Sequence, residues 1–227
     1  TTNSSLLEFW KRVRNIDDDI AEIMAHNGYS TVLDKTLFEA QGEDEIILCL
    51  NYDGLYGINN INRFLQSSNR GASTTWREST YKIGDPVLFH ETERFRPVIY
   101  NNLKGRIIAI DHVPGRIQFD VELDRPLSDF DVVGNELEWI AGSTVRFSVY
   151  EHEHDTSDED DDSLNTTVPF QVAYAVSIHK AQGLEYDNVK IVITDANYDD
   201  IIHSIFYNAL TRARKHLRIF WTPETQQ

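Results

Sequence analysis

The most apolar runs of this chain lie towards its two ends, with a long stretch of another character between them. EIILCLN (45–51), QVAYAVSIH (171–179), VKIVIT (189–194) and LRIFW (217–221) are short and largely unbroken by polar residues. A strand that is apolar on both faces must be covered on both sides, as in sheets flanked by helices. Residues 81–150 read differently. DPVLF (85–89), GRIIAI (105–110), RIQFDVEL (116–123), LEWI (137–140) and TVRFSVY (144–150) are punctuated by turn signals at Asn101-Asn102, Pro114-Gly115 and Val133-Gly134-Asn135. Short strands spaced in this way predict a small antiparallel barrel or sandwich. The pattern is that of a layered α/β core interrupted by an all-β insertion.

Helical periodicity completes the core. Leu6, Leu7, Trp10, Val13, Ile16, Ile20, Ile23 and Met24 predict a helix over 4–27, with Ser4 or Ser5 to cap it and Asn27-Gly28 to stop it. Ile58, Ile61, Phe64 and Leu65 predict a second helix over 57–66, and a third is predicted over 199–216. The expected organisation is an α/β core of 1–78 and 165–227, an inserted β-barrel over 79–150, and an acidic flexible loop over 151–164.

Charge narrows the function classes. Twenty-one Lys and Arg against 37 Asp and Glu give a formal charge of −16, unlike a simple phosphate-binding protein, which is basic. Half of that deficit sits in EHEHDTSDEDDD, 151–162, a block that reads as a solvated loop. Local charge decides binding, since screening acts beyond about 8–10 Å. Glu151, His152, Glu153 and His154 read as part of the acidic loop before they read as a metal site. The single cysteine, Cys49, excludes a disulfide framework and a cysteine zinc cluster. No apolar run approaches the ~20 residues of a membrane span, and the first residues lack a signal-peptide pattern. The expected location is cytoplasmic. A start at Thr1 suggests a fragment of a longer protein.

Two segments hold candidate chemistry. SIHKAQGLEYDNVKIVI (177–193) follows a predicted strand with a polar turn that gathers His179, Lys180, Gln182, Gly183 and Glu185. Ligands of open α/β sheets lie beyond the carboxyl ends of strands, and Gly lets the backbone approach a ligand or take a positive φ. An ordinary solvated connection fits the same pattern. In the helix predicted over 199–216, Ile201, Ile202, Ile205, Phe206, Ala209, Leu210 and Ala213 form an apolar arc. Arg212 falls at its edge and Arg214 on the far side. An arginine at such an edge needs a carboxylate, phosphate or carbonyl to offset desolvation. An internal ion pair, a snorkelling stem and an anion held at a domain boundary all satisfy that need.

YAVSIHKAQGLEYDNVKIVI (174–193) and FYNALTRARKHLRIF (206–220) resemble the fifth and sixth motifs of superfamily 1 DNA helicases of the RecD-like and UvrD-like kind. LCLNYDGLYGINNINRFLQ (48–66) resembles the region after their fourth motif, where UvrD-like enzymes carry an Arg and this chain has Asn51. YKIGDPVLF (81–89) and YNNLKGRIIAI (100–110) resemble the small β-barrel inserted in RecD-like second motor domains. The resemblance implies a RecA-like, P-loop NTPase-type second motor domain and a C-terminal fragment of an ATP-dependent DNA helicase acting in repair or recombination. It implies that Arg212 is the arginine finger on ATP, and that Gly183, Glu185 and Gln182 lie on the nucleotide side, Glu185 at the ribose. Gln182 stands where UvrD-type enzymes commonly have Lys. Ser177 and His179 would touch the single-strand backbone and Lys180 a phosphate. No GxxxxGK[ST] occurs in this sequence. ATP and Mg²⁺ would therefore be bound mainly by an N-terminal motor domain outside it, and this piece alone would lack ATPase activity. The alternative is a catalytically silent module, derived from a helicase, that binds nucleic acid or protein.

Overall fold

The computed structural model describes residues 35–39, 44–52, 56–90, 93–152, 165–193 and 207–221. The helix expected over 4–27, most of the acidic loop and the beginning of the helix expected from 199 lie outside them. Packing divides the chain at 61/62 and 174/175 into one unit of 1–61 with 175–227 and another of 62–174. The sequence pattern suggested 78/79 and 164/165.

The first unit holds a four-stranded sheet. After a 3-10 turn, Lys35–Phe38, β1 is Glu45–Cys49 and α1 is Ile58–Ser68. α1 begins where the amides of Ile58 and Asn59 donate to the carbonyls of Asn51 and Tyr52. It buries Ile58, Ile61, Phe64 and Leu65, its expected face, and runs across the first division. β10 (Ala175–Ser177), β11 (Tyr186–Ile193) and β12 (Ala213–Trp221) complete the order β10-β1-β11-β12, every pairing parallel. The central strands are buried on both faces, as their continuous apolar runs require.

One buried charge lies inside that sheet. Lys190 of β11 is almost wholly enclosed. Its Nζ donates to the carbonyls of Leu37 (3.2 Å) and Glu39 and pairs with Glu45 at 2.8 Å. Burial pulls its ammonium below the ordinary lysine range, and Glu45 only partly opposes this. Lys190 thus pins the 35–39 turn to the sheet. Cys49 is buried at the end of β1, and burial pushes its thiol up.

The second unit is antiparallel. A hairpin of β2 (Ser73–Trp76) and β3 (Ser79–Lys82) precedes β4 (Pro86–Phe89), β5 (Lys104–Val113), β6 (Arg116–Leu123), β7 (Glu138–Ala141), β8 (Thr144–Tyr150) and β9 (Phe170–Val172). The last six form one sheet in the order β7-β8-β6-β5-β4-β9, with β7 and β9 at its ends. Phe89, Phe119, Phe147 and Phe170 meet edge to face or tilted in its core, with centroids 5.1–6.3 Å apart. Trp76, Tyr81, Phe89 and Phe95 are buried there. Outside the core, Arg146 grips the opposite Asp120 with two bonds of 2.7 and 2.8 Å.

A polar knot closes the base of this unit. Asp85 is fully buried. Its Oδ1 accepts from Asn69 Nδ2 (2.7 Å) and Tyr174 Oη (2.8 Å), and its Oδ2 from Gln66 Nε2 (2.5 Å) and Lys82 N (2.9 Å). Gly71 sits beside the knot because a Cβ there would lie 2.0 Å from the Ile83 carbonyl oxygen.

Two sequence expectations are corrected. The apolar run 171–179 is not one strand. β9 pairs with β4 in the antiparallel sheet, two residues intervene, and β10 enters the parallel sheet beside β1. The helix expected over 199–216 has ended by residue 210; residues 211–212 turn and β12 starts at 213, not 217. The Ala, Arg, Lys and Leu of ALTRARKHL favour helix locally. The ladder to β11, from Val189↔Leu217 to Ile193↔Trp221, overrides that preference. No helix among the described residues is long and apolar enough to cross a membrane.

Candidate functional site

The connection between β10 and β11 carries five of the candidate residues, with Ser177 closing β10 before it, and its path is set by the sheet. β10 and β11 flank β1, and all three run the same way. Leaving β10 opposite Cys49, the chain must return along the sheet to begin β11 ahead of the Glu45↔Asn188 pair. Ser177, His179 and Lys180 therefore lie at the carboxyl end of the sheet, and Glu185 at its amino end.

Helix-like turns shape the connection. The Ser177 carbonyl accepts from Lys180 N (3.0 Å) and Ala181 N (3.3 Å), and the Ser177 hydroxyl oxygen also accepts from Lys180 N at 3.3 Å. Ser177 is buried beneath the turn, whereas His179 is exposed above it. Gln182 N donates to the His179 carbonyl, and Leu184 N to that of Ala181. Gly183 has φ +82°, the left-handed region in which a side chain is strained. The space where a Cβ would stand is open to 4 Å. Gln182, Gly183 and Glu185 are exposed.

Arg212 comes to the same place from the other direction. It lies in the turn before β12, so the helical-arc argument does not apply to it. Its Nε donates to the Asn208 carbonyl (2.9 Å), Nη1 to the Leu184 carbonyl (3.1 Å) and Nη2 to Thr211 Oγ1 (3.0 Å). Its own carbonyl accepts from Tyr186 N at 2.9 Å. The guanidinium is half-buried and bonded to neutral oxygens, so these bonds leave its charge uncompensated. Among the described residues three of its five N–H groups have a partner, which leaves two for an anion.

The structure thus brings Arg212 to the segment holding Gly183 and Glu185, at the amino ends of β11 and β12. It sets Ser177, His179 and Lys180 at the opposite end. The residues that sequence reasoning missed are Asp44, Asp187, Arg214 and Lys215. Arg214 bridges Asp44 (2.5 Å) and Asp187 (3.0 Å), and Lys215 meets Asp187 at 2.6 Å. The hydrogen bond from Lys215, aided by both cations, holds the Asp187 carboxyl below the usual range. Helical periodicity alone puts Arg214 on a far face. Adjacent bases late in the chain and Asp187 are visible in the sequence, but their meeting depends on the strand register.

Residues 172–220 match the model of the UvrD-like helicase C-terminal domain. RecBCD enzyme subunit RecD of Buchnera aphidicola subsp. Schizaphis graminum is 34% identical over 55 residues, which are 24% of this chain and 9% of that protein. Pif1 helicase from Candida albicans superposes with a TM-score of 0.50 at 17% identity, covering 96% of this chain and 53% of that one, and so shares its fold. A Bacteroides Pif1 in complex with ADP-AlF3 and ssDNA aligns with a TM-score of 0.47 at 14% identity, covering 96% and 49%. The chain spans about half of these Pif1 chains and under a tenth of the RecD relative. The match of residues 172–220 to the UvrD-like helicase C-terminal domain and the 55-residue similarity to RecD are those of the C-terminal half of a superfamily 1 helicase, and the fold is shared with Candida albicans Pif1.

Proposed function

We propose that this chain is the second motor domain of an ATP-dependent DNA helicase, with its antiparallel unit as the small barrel of RecD-like enzymes. The observation that carries the reading is the Arg212 guanidinium at the Leu184 carbonyl, between Gly183 and Glu185. A positive charge is thereby anchored beside a glycine turn that a phosphate chain can approach. Arg212 neutralises charge on the transferred phosphoryl group, Glu185 meets the ribose, and Gln182 lies beside them. His179 and Lys180 contact the single-strand backbone from the other end of the connection, where Ser177 shapes the turn. The residues present fit one wall of a nucleotide site: two spare guanidinium donors, an open glycine and an exposed carboxylate. When bound, Mg²⁺ supplies charge stabilisation from the P-loop domain, the partner this reading requires.

A single connection of 178–185 joins the strand side to the nucleotide side. Movement of its nucleotide end on ATP binding is transmitted to His179 and Lys180 through a short run of turns.

The test is Arg212→Ala in the protein that carries this chain with its P-loop domain. DNA-stimulated ATPase falls roughly 10³–10⁵-fold, the worth of an arginine finger in related phosphoryl transfer. Undiminished turnover refutes the assignment. DNA-stimulated ATPase by this chain alone would refute the dependence on a second domain.

A further inference from the structure

The ladder between β11 and β12 steps from Tyr186↔Ala213 to Asn188↔His216. Two residues, Arg214 and Lys215, therefore stand opposite one, Asp187. This is a β-bulge, which bends a strand and redirects the side chains next to it. Charge holds this one in place. Arg214 Nε and Lys215 Nζ both reach Asp187, at 3.0 and 2.6 Å, and Arg214 Nη2 reaches Asp44 at 2.5 Å. Asp44 Oδ2 also accepts the Asp187 amide at 2.9 Å, and the Asp44 carbonyl accepts the Asn188 amide at 3.0 Å. The starts of β1, β11 and β12 are thereby tied at one point, two residues from Arg212.

We propose that Asp187 and Asp44 are positioning residues: they lock the bulge and so fix the direction in which Arg212 leaves the strand. The proposal rests on the reading of Arg212 as the contact to ATP. Without these carboxylates, Arg214 and Lys215 are adjacent like charges with nothing to hold both on one side. The strand can then regain regular pairing by a one-residue slip, which turns side chains to the opposite face. Arg212 would lose its alignment with the Leu184 carbonyl. The ion pairs are partly exposed, so their direct worth in stability is small.

The experiment compares Asp187→Ala, Asp44→Ala, Asp187→Glu and Arg212→Ala in the protein with its P-loop domain, following DNA-stimulated ATPase and the melting of each variant. The alanine variants are expected to lose kcat about tenfold or more with KM for ATP within about twofold, at assay temperatures where they remain folded. Asp187→Glu recovers most of kcat. If Asp187→Ala does not fold, Lys215→Met, which leaves Asp44, Asp187 and Arg214 joined, is read in its place and shows a smaller loss of kcat at constant KM. The positioning role is overturned if Arg212→Ala abolishes turnover while the carboxylate variants keep kcat within about twofold, or if kcat falls only in proportion to the folded fraction. Full turnover by Arg212→Ala removes the underlying reading instead.

Discussion

Asp85→Asn is the most demanding test of how the antiparallel unit is held together. The change is isosteric, so it adds no clash and opens no cavity. It replaces one carboxylate oxygen by an amide nitrogen. In the native knot every partner of Asp85 is a donor: Asn69 and Tyr174 on one oxygen, Gln66 and the Lys82 amide on the other. An asparagine accepts on only one side. Whichever way it is turned, two donors face an NH₂ group at a position that is itself fully buried. An unsatisfied buried polar group costs about 1–3 kcal/mol. Two of them, with the charge-assisted character of the remaining bonds lost, give about 3–5 kcal/mol, the range for breaking a buried charged network. Tyr174→Phe removes one donor and leaves the other three, so it should cost about 1–2 kcal/mol. The assay is urea unfolding of the whole chain, followed by tryptophan fluorescence, since Trp76 and Trp139 both lie in this unit. A loss below about 1 kcal/mol for Asp85→Asn would refute the claim that all four donors converge on a carboxylate.

Four further outcomes are expected. Lys190→Met leaves Glu45 as a lone buried carboxylate and should cost about 3–5 kcal/mol in urea unfolding, while the double change with Glu45→Gln should recover most of that; equal losses would contradict the pairing. Asp187 has a folded-state pKa below its unfolded value, so its contribution is present above the ordinary aspartate range and disappears as pH falls through the lowered value. Acid unfolding should show this contribution in the native chain and lack it in Asp187→Asn. Gly71→Ala should destabilise by about 1–3 kcal/mol through collision with the Ile83 carbonyl. Gly183→Ala, which meets no neighbour, should cost only the strain of its positive φ, about 1–2 kcal/mol, as measured by thermal melting.

The parts of this fold legible in the sequence are those where burial dictates side-chain pattern. β1 and β11 declare themselves because a strand enclosed on both faces is mainly apolar, the paired Glu45 and Lys190 apart, and the alternation of β8 shows which of its faces meets the phenylalanine core. β12 was misread in its first half because residues 214–217 are exposed and their composition suits a helix. Only pairing with β11 makes them a strand, and pairing leaves no local trace. The run 171–179 concealed a change of sheet for a related reason: Ala173 and Tyr174 are as apolar as their neighbours, yet the Tyr174 hydroxyl belongs to Asp85. At the candidate site, motif order alone suggests that Gly183, Glu185 and Arg212 belong to one side, and the roles proposed for them rest on that resemblance. The bulge that groups Arg214 and Lys215 on one acid could not, since it is an offset between two strands 28 residues apart.

Cys49 lies sealed at the end of β1, and the chain has no other cysteine. Maleimide chemistry therefore finds a silent background. A dye attached through His179→Cys, at an exposed turn, would report from that position without prior removal of the native sulfur. The mobility of the 178–185 connection can thus be followed optically in an otherwise unaltered chain.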